Sequence, residues 1–371
     1  MKNRYLLTMV IFALLPLILN AEWLPIKHNS KTASSPLITL VSDDATSTVI
    51  RIEVSGVVMK DFLADGKSYQ KFDLLTDIWT LEPGSPEVPH IAELLAIPDN
   101  SGVSVEVVEI GETQIFSNMN VPPARPTWWE GDPEPAYIED AKSYGKDAFY
   151  PEVMARMEDP TIFRDFRVSR LSVYPVQYNP VRQELKVATS LTVKISYGKG
   201  GIINPKVSPK RPIAQSFAEL YRSSIFNYDE VLNRVYGGRE DGEELMLCIM
   251  PDEFEESFEP YAEWNRKTGT NIHVTTFSDI GANAYNPDII KDHCEDAYFN
   301  WETPPTYVLV IGDDGVFPAK TITYPDYSFA YDNYFVNVDG NDEVPEMMIG
   351  RFTNQGHYRM RVMINKYQLY E

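Results

Sequence analysis

The sequence predicts two unlike units in one chain: an all-β, sandwich-like domain in front and an α/β open sheet behind. Three observations carry this. Up to about Tyr197 the apolar residues recur with period two, the mark of half-buried antiparallel strands. Past Glu244 the pattern changes to short continuous apolar runs alternating with helical stripes, the mark of buried parallel strands and crossover helices. Between them, residues 199–243 hold a Gly- and Pro-rich stretch, one helical pattern and a polar joint.

At the start, Lys2 and Arg4 precede an apolar stretch from Leu6 to Leu19, and Ala21 offers a small residue for cleavage. Residues 1–21 therefore read as a secretory signal peptide, and no later segment reads as a membrane span. Residues 22–198 carry the strands. Ile50, Ile52 and Val54 alternate with Arg51 and Glu53; Val103, Val105 and Val107 alternate with Ser104 and Glu106; Leu191, Val193 and Ile195 alternate with Thr192 and Lys194. Asp65-Gly66, Pro83-Gly84 and Asn179-Pro180 supply turns between them. A proline-rich insert from Val121 to Tyr150 interrupts the pattern, because prolines break sheet ladders. Its adjacent Trp128 and Trp129 are expected to bury against this domain or a neighbour.

Gly198 to Pro212 reads as a linker. Ala214 to Leu232 reads as a helix with apolar Phe217, Leu220, Tyr221 and Ile225. Arg234 to Gly242 follows, read as a flexible polar joint whose Arg234 and Arg239 are candidate processing points. An ordinary interdomain linker fits the same residues.

Residues 244–371 alternate strand and helix. Leu245 to Met250 is the first apolar run, followed by a helix with Phe258, Tyr261 and Ala262 on one face and Gly269 at its end. Pro260 is expected to kink that helix or to begin its second half. Asn271 to Phe277 is a short strand. Asn286-Pro287 opens the next helix, with Ile290, Cys294, Ala297 and Tyr298 inward. Tyr307 to Ile311 is the central strand and ends at Gly312-Asp313-Asp314; Met347 to Phe352 is the last strand, before a helix from about Tyr358. In open α/β sheets, ligands sit beyond the carboxyl ends of the strands, where Gly312 to Asp314 lie.

Composition narrows the function. The 371 residues hold 54 acidic against 33 basic side chains, a net charge of −21, which argues against a nucleic-acid partner. Two cysteines, Cys248 and Cys294, exclude a disulfide framework, and five scattered histidines form no zinc signature. Asp339-Gly340-Asn341-Asp342-Glu343 gathers oxygen ligands around a glycine turn, with Asp332 and Asp313 upstream. That suits calcium or, equally, a solvated acidic turn.

The phrases Ile249-Met250-Pro251, Trp264-Asn265-Arg266-Lys267-Thr268-Gly269, Pro305 to Asp313, Tyr331-Asp332-Asn333-Tyr334 and Ile349-Gly350-Arg351-Phe352 stand in an order that resembles the gingipain-type cysteine peptidases. Upstream, Phe149-Tyr150-Pro151 and Tyr174 to Pro180 resemble that family's propeptide. The resemblance implies a secreted, extracellular or cell-surface bacterial zymogen with a caspase-like catalytic domain. It also implies structural calcium, with Asp313, Asp332, Asp339 and Asp342 as candidate ligands, and removal of the prodomain by proteolysis. It implies contact between prodomain and catalytic domain in cis, protein or peptide substrates, and a prodomain loop that blocks the cleft, for which Arg125 is the candidate. The family's His/Cys dyad follows the Gly-Arg-Phe strand, so the catalytic domain is expected to be incomplete here and to have no catalytic residue within these 371. His357 comes too early, and Cys248 and Cys294 read as core residues. Two alternatives stay open: a non-catalytic secreted module for binding or assembly, and a processing peptidase of the secretion machinery.

Overall fold

In the computed structural model, the described residues are 21–370 apart from 28–29, 284, 314, 324–326 and 354–355. The stretch read from sequence as a signal peptide, through residue 20, and Asp314 of the strand-end motif, lie outside them.

The front unit is built from fourteen strands: β1 (Ala21–Pro25), β2 (Leu37–Asp43), β3 (Ser47–Glu53), β4 (Gly56–Ala64), β5 (Lys67–Asp73), β6 (Ile91–Ile97), β7 (Gly102–Ile110), β8 (Thr113–Ser117), β9 (Ala155–Met157), β10 (Thr161–Phe163), β11 (Phe166–Val173), β12 (Val176–Asn179), β13 (Glu184–Ala188) and β14 (Ser190–Gly198). All their pairings are antiparallel, in sheets ordered β1-β4-β5, β2-β3-β14-β7, β10-β11-β6 and β12-β13-β8. The alternation in the sequence has its expected cause: Ile50, Ile52, Leu191, Val193 and Ile195 are wholly buried, while Arg51, Thr192 and Lys194 between them are not. They share one core with Phe72, Leu95, Leu171 and Leu185 from the other sheets. A single turn of helix, α1 (Ala141–Tyr144), lies in the proline-rich insert.

The middle segment departs from the expected linker. Buried Arg167 of β11 donates to the carbonyls of Pro98, Ser101, Ile203 and Asn204, which ties the Gly-rich stretch to the front unit. The expected single helix is two, α2 (Gln215–Ser224) and α3 (Tyr228–Tyr236). Between them the Asn227 amide pairs with both main-chain groups of Ala96, at 2.8 and 2.9 Å, and Phe226 N donates to Leu94 O. Those bonds draw the chain out of the helix and onto β6. Phe217, Tyr221, Tyr228 and Val231 then close a second core over Phe166 and Val168.

The rear unit is an all-parallel sheet ordered β16-β15-β17-β20, with β15 (Leu245–Met250), β16 (Asn271–Thr276), β17 (Tyr307–Ile311) and β20 (Met348–Phe352). Helix α4 (Glu255–Thr268) follows β15 and includes Pro260 within it; α5 (Phe277–Ile280) and α6 (Pro287–Asn300) follow β16, and α7 (His357–Tyr370) follows β20. The expected caps are present: Asn286 accepts from Asp288 N at α6, and Gly269 takes φ +101° after α4. A small hairpin of β18 (Thr321–Thr323) and β19 (Ser328–Ala330) crosses between β17 and β20. One face of the sheet packs on α6 through Leu247, Val308 and Val310, the other on α4 and α7 through Cys248, Leu309 and Ile311. Strand β17 is interior, as its unbroken apolar run requires.

Candidate functional site

The carboxyl end of β17 is held by a single arginine. Arg351 of β20 forms a two-pronged pair with Asp332, at 2.6 and 2.8 Å, and donates to the carbonyls of Gly312 and Pro318. Its guanidinium also lies 5.0 Å from the ring centre of Phe317. A bidentate, partly buried pair of this kind is geometrically specific. It fixes the turn after β17 relative to the turn before β20. Gly312 there has φ +126°, and an added Cβ would stand 2.8 Å from Val316 Cγ2, so only glycine fits. Asp313 caps the same turn by accepting from Gly315 N.

No reactive thiol stands at this end among the described residues. Cys248 and Cys294 are fully buried, and burial alone pushes the Cys294 thiol up to about 12 and the Cys248 thiol up as well. A thiolate nucleophile needs the opposite environment. His293 turns to Thr275 Oγ1 at 3.3 Å, and His357 Nδ1 lies 2.8 Å from Ser257 Oγ at the start of α7. Both cysteines are core residues, as the sequence predicts.

The four aspartates expected to share calcium are not brought together. Asp332 is committed to Arg351, and Asp313 to its own turn. Asp342 accepts from Ile162 N and Asn204 Nδ2 of the preceding units, and from Val344 N. Only Asp339 is buried with both carboxylate oxygens unpaired. The residue beside it was missed in the sequence: Glu346, wholly buried, accepts from Val338 N and Asp339 N on one oxygen and leaves the other unpaired. Burial pushes its carboxyl up to about 8, and the charge of Asp339 adds to the effect. Among the described residues no three acidic, His or Cys side chains are placed to hold a metal. Asp339 and Glu346 are thus the two buried carboxyl groups of this turn with unpaired oxygens. A charged residue immediately ahead of an apolar strand, as in Glu346-Met347-Met348, was the available signal.

The two processing candidates differ sharply. Arg234 lies in α3 and pairs at 2.9 Å with Asp43, whose side chain is fully buried. Arg239 follows Gly237 and Gly238, both at positive φ, and pairs only with exposed Asp241. It also lines a cavity of about 280 Å³ with Arg164, Arg211, Asp241 and Tyr298. Arg239 lies in an exposed turn, whereas Arg234 is held within a helix by its pair with Asp43.

Arg125 is folded into its own loop. It pairs with Glu134 at 2.7 Å and lies 4.7 Å from the ring centres of both Trp128 and Tyr137. The tryptophans do not bury as expected: Trp128 is 42% and Trp129 70% exposed. Trp129, not Arg125, meets the rear unit, edge-on to Tyr327 at 6.0 Å.

Known proteins match this architecture in order. Residues 28–236 match the family model described as Propeptide_C25, and residues 239–371 match Peptidase family C25. The chain is similar to Gingipain R2 of Porphyromonas gingivalis, 27% identical over 78% of this chain and 38% of the relative. It is similar to Lys-gingipain of the same organism, 25% identical over 99% of this chain and 21% of the relative. The chain thus spans well under half the length of either. Among solved structures, the complex of P. gingivalis RgpB pro- and mature domains aligns with TM-score 0.45 and 22% identity, over 53% of this chain and 100% of that one. A structure of zymogenic gingipain K aligns with TM-score 0.42 and 20% identity, over 48% and 98%.

Proposed function

From its place in the gingipain-type peptidase family C25, to which this chain belongs as a cysteine peptidase precursor, we infer that it is the leading part of a secreted zymogen. The β unit acts as the prodomain, and the parallel sheet forms the first part of a caspase-like catalytic domain. The reacting thiol and imidazole come from sequence beyond these 371 residues. There a thiolate attacks a peptide carbonyl, and a histidine serves as general acid and base. The observation that carries this reading is the pair of buried cysteines beside a fully built strand-end scaffold. Gly312 and Arg351 are organised for a site, yet neither thiol reaches it.

The prodomain is removed at Arg239. The break between the two family matches falls within the same loop, and the residue is exposed. Calcium, if the protein binds it, sits against Asp339 and Glu346 and supplies charge to a turn that otherwise buries two carboxyl groups. Adding calcium should then raise the melting temperature of this chain, and Glu346→Gln should abolish the rise. Equal melting with calcium and with chelator would remove the metal from the account.

The decisive experiment on function is to express the uninterrupted reading frame and assay peptide cleavage with and without a thiol-blocking reagent. Cleavage lost on blocking supports the peptidase. A frame without a downstream cysteine, or cleavage indifferent to the reagent, leaves a secreted binding module instead.

A further inference from the structure

We propose that Arg164, Asn204 and Arg211 form a clasp that keeps prodomain and peptidase unit together after the joint at Arg239 is cut, and that the clasp works at the amino ends of the parallel strands. The proposal rests on reading that joint as the processing point.

Arg164 sits in the turn between β10 and β11 at φ +49°, a conformation that a non-glycine residue holds only when its surroundings require it. It is 5% exposed. Its guanidinium donates to Pro305 O at 2.8 Å and Glu346 O at 2.7 Å, the residues just ahead of β17 and β20. It lies 4.7 Å from the ring centre of Phe217, and its own carbonyl accepts from Tyr298 OH. Asn204 is the second point. Arg167 holds its carbonyl, so the amide is fixed before it meets anything. It donates to Asp342 at 2.6 Å and accepts from Asn341 N at 2.7 Å, while Ile162 N donates to the same aspartate. Gly340 makes the fit possible: a Cβ there would stand 2.7 Å from both Asn204 Oδ1 and Ile162 Cγ1. Arg211 is the third. It donates to the carbonyls of Tyr298 and Phe299 in the last turn of α6, where a helix favours a cation.

All three points lie at the end of the sheet opposite Gly312 and Arg351, about 15 Å away along a five-residue strand. Retention is therefore separate from anything that covers the carboxyl ends. The residues after the joint are also stitched to the helix pair: Gly242 N donates to Ile213 O, Ser216 N to Glu244, and Tyr228 OH to Glu240. A cut at the joint leaves each of these bonds in place.

The test inserts a site-specific protease sequence between Gly238 and Arg239 of the full chain, cuts it, and follows both fragments by size-exclusion chromatography and dilution. The wild-type halves should co-elute. Arg164→Ala and Asn204→Ala should each weaken their association about thirtyfold or more, while Arg125→Ala leaves it unchanged. Melting of the uncut variants shows whether they fold, and Asp342→Ala removes the Asn204 contact from the other side should Arg164→Ala not fold. Wild-type halves that separate on cutting overturn the proposal, as do Asn204→Ala and Asp342→Ala halves that associate as tightly as wild type. The engineered site makes this outcome independent of where the natural cut falls, which amino-terminal sequencing of the natural product decides.

Discussion

The two units differ in which polar groups they bury without a partner. In the prodomain, buried Arg167 spends its guanidinium on four carbonyls, and each of those oxygens gains a donor. In the peptidase unit, Thr306, Asn337, Asp339 and Glu346 each bury an oxygen with no hydrogen-bond partner among the described residues. An unpaired buried polar atom costs roughly 1–3 kcal/mol, more for a charged one. The prodomain leaves His90 Nδ1 and Gln177 Oε1 unpaired, and neither belongs to a carboxyl group. The unpaired oxygens of the peptidase unit include those of two carboxyl groups, and its carbonyls take donors from Arg164 and Arg211.

The largest test of that contrast is Arg167→Met. It strips four carbonyls of their donor and frees Asn204, and should cost about 3–5 kcal/mol in chemical unfolding. A loss below about 1 kcal/mol would mean the prodomain does not depend on that residue.

Next comes alkaline pH. The Glu346 carboxyl, ordinarily near 4.5, is held at about 8 in the folded chain. The folded state therefore keeps a proton that the unfolded state releases. The resulting stability is full below about 4.5 and is lost as pH rises through about 8, to the order of 3 kcal/mol. Glu346→Gln should flatten this dependence in melting curves recorded in chelator.

The prodomain should respond to acid instead. His90 is buried against Tyr174, and burial lowers its imidazole from 6.5 to about 4. Its contribution is present above about 6.5 and lost as pH falls through about 4, on the order of 2 kcal/mol. His90→Phe should remove that part of the acid loss. Identical pH profiles for the two variants would erase the distinction between the units.

The smallest expected effect lies at the joint. Arg239→Ala should change stability by less than about 0.5 kcal/mol, since its pair with Asp241 is exposed. Arg234→Ala should cost more, roughly 1–2 kcal/mol, because it leaves the buried Asp43 carboxylate without its cation.

Much of the fold was legible because its causes are local. Five apolar residues from Tyr307 to Ile311 have no stable place except the inside of a sheet, and β17 is interior. Ile50, Ile52 and Val54 declare a strand by alternation, and Asn286-Pro287 and Gly269 mark helix ends through backbone geometry. The middle segment was misread for the converse reason. Nothing near Asn227 in sequence shows that Ala96 will take both ends of its amide and split a helix. Nothing near Gly200 shows that Arg167 will pin the stretch.

The site divides the same way. Arg351 and Gly312 lie in phrases that could be read directly, and both cysteines were readable as core. Four acidic residues looked like one cation site, yet Asp313, Asp332 and Asp342 found different partners once the chain was folded, and Asp339 found none among the described residues. Sequence by itself determined the two architectures and their order, because periodicity, chain-bending residues and apolar runs act over a few positions. Only the tertiary structure decided that Asp339 and Glu346 share a buried turn, and that Arg164 and Asn204 reach across to it. Those outcomes depend on which groups are driven out of water together, and burial is a property of the assembled whole.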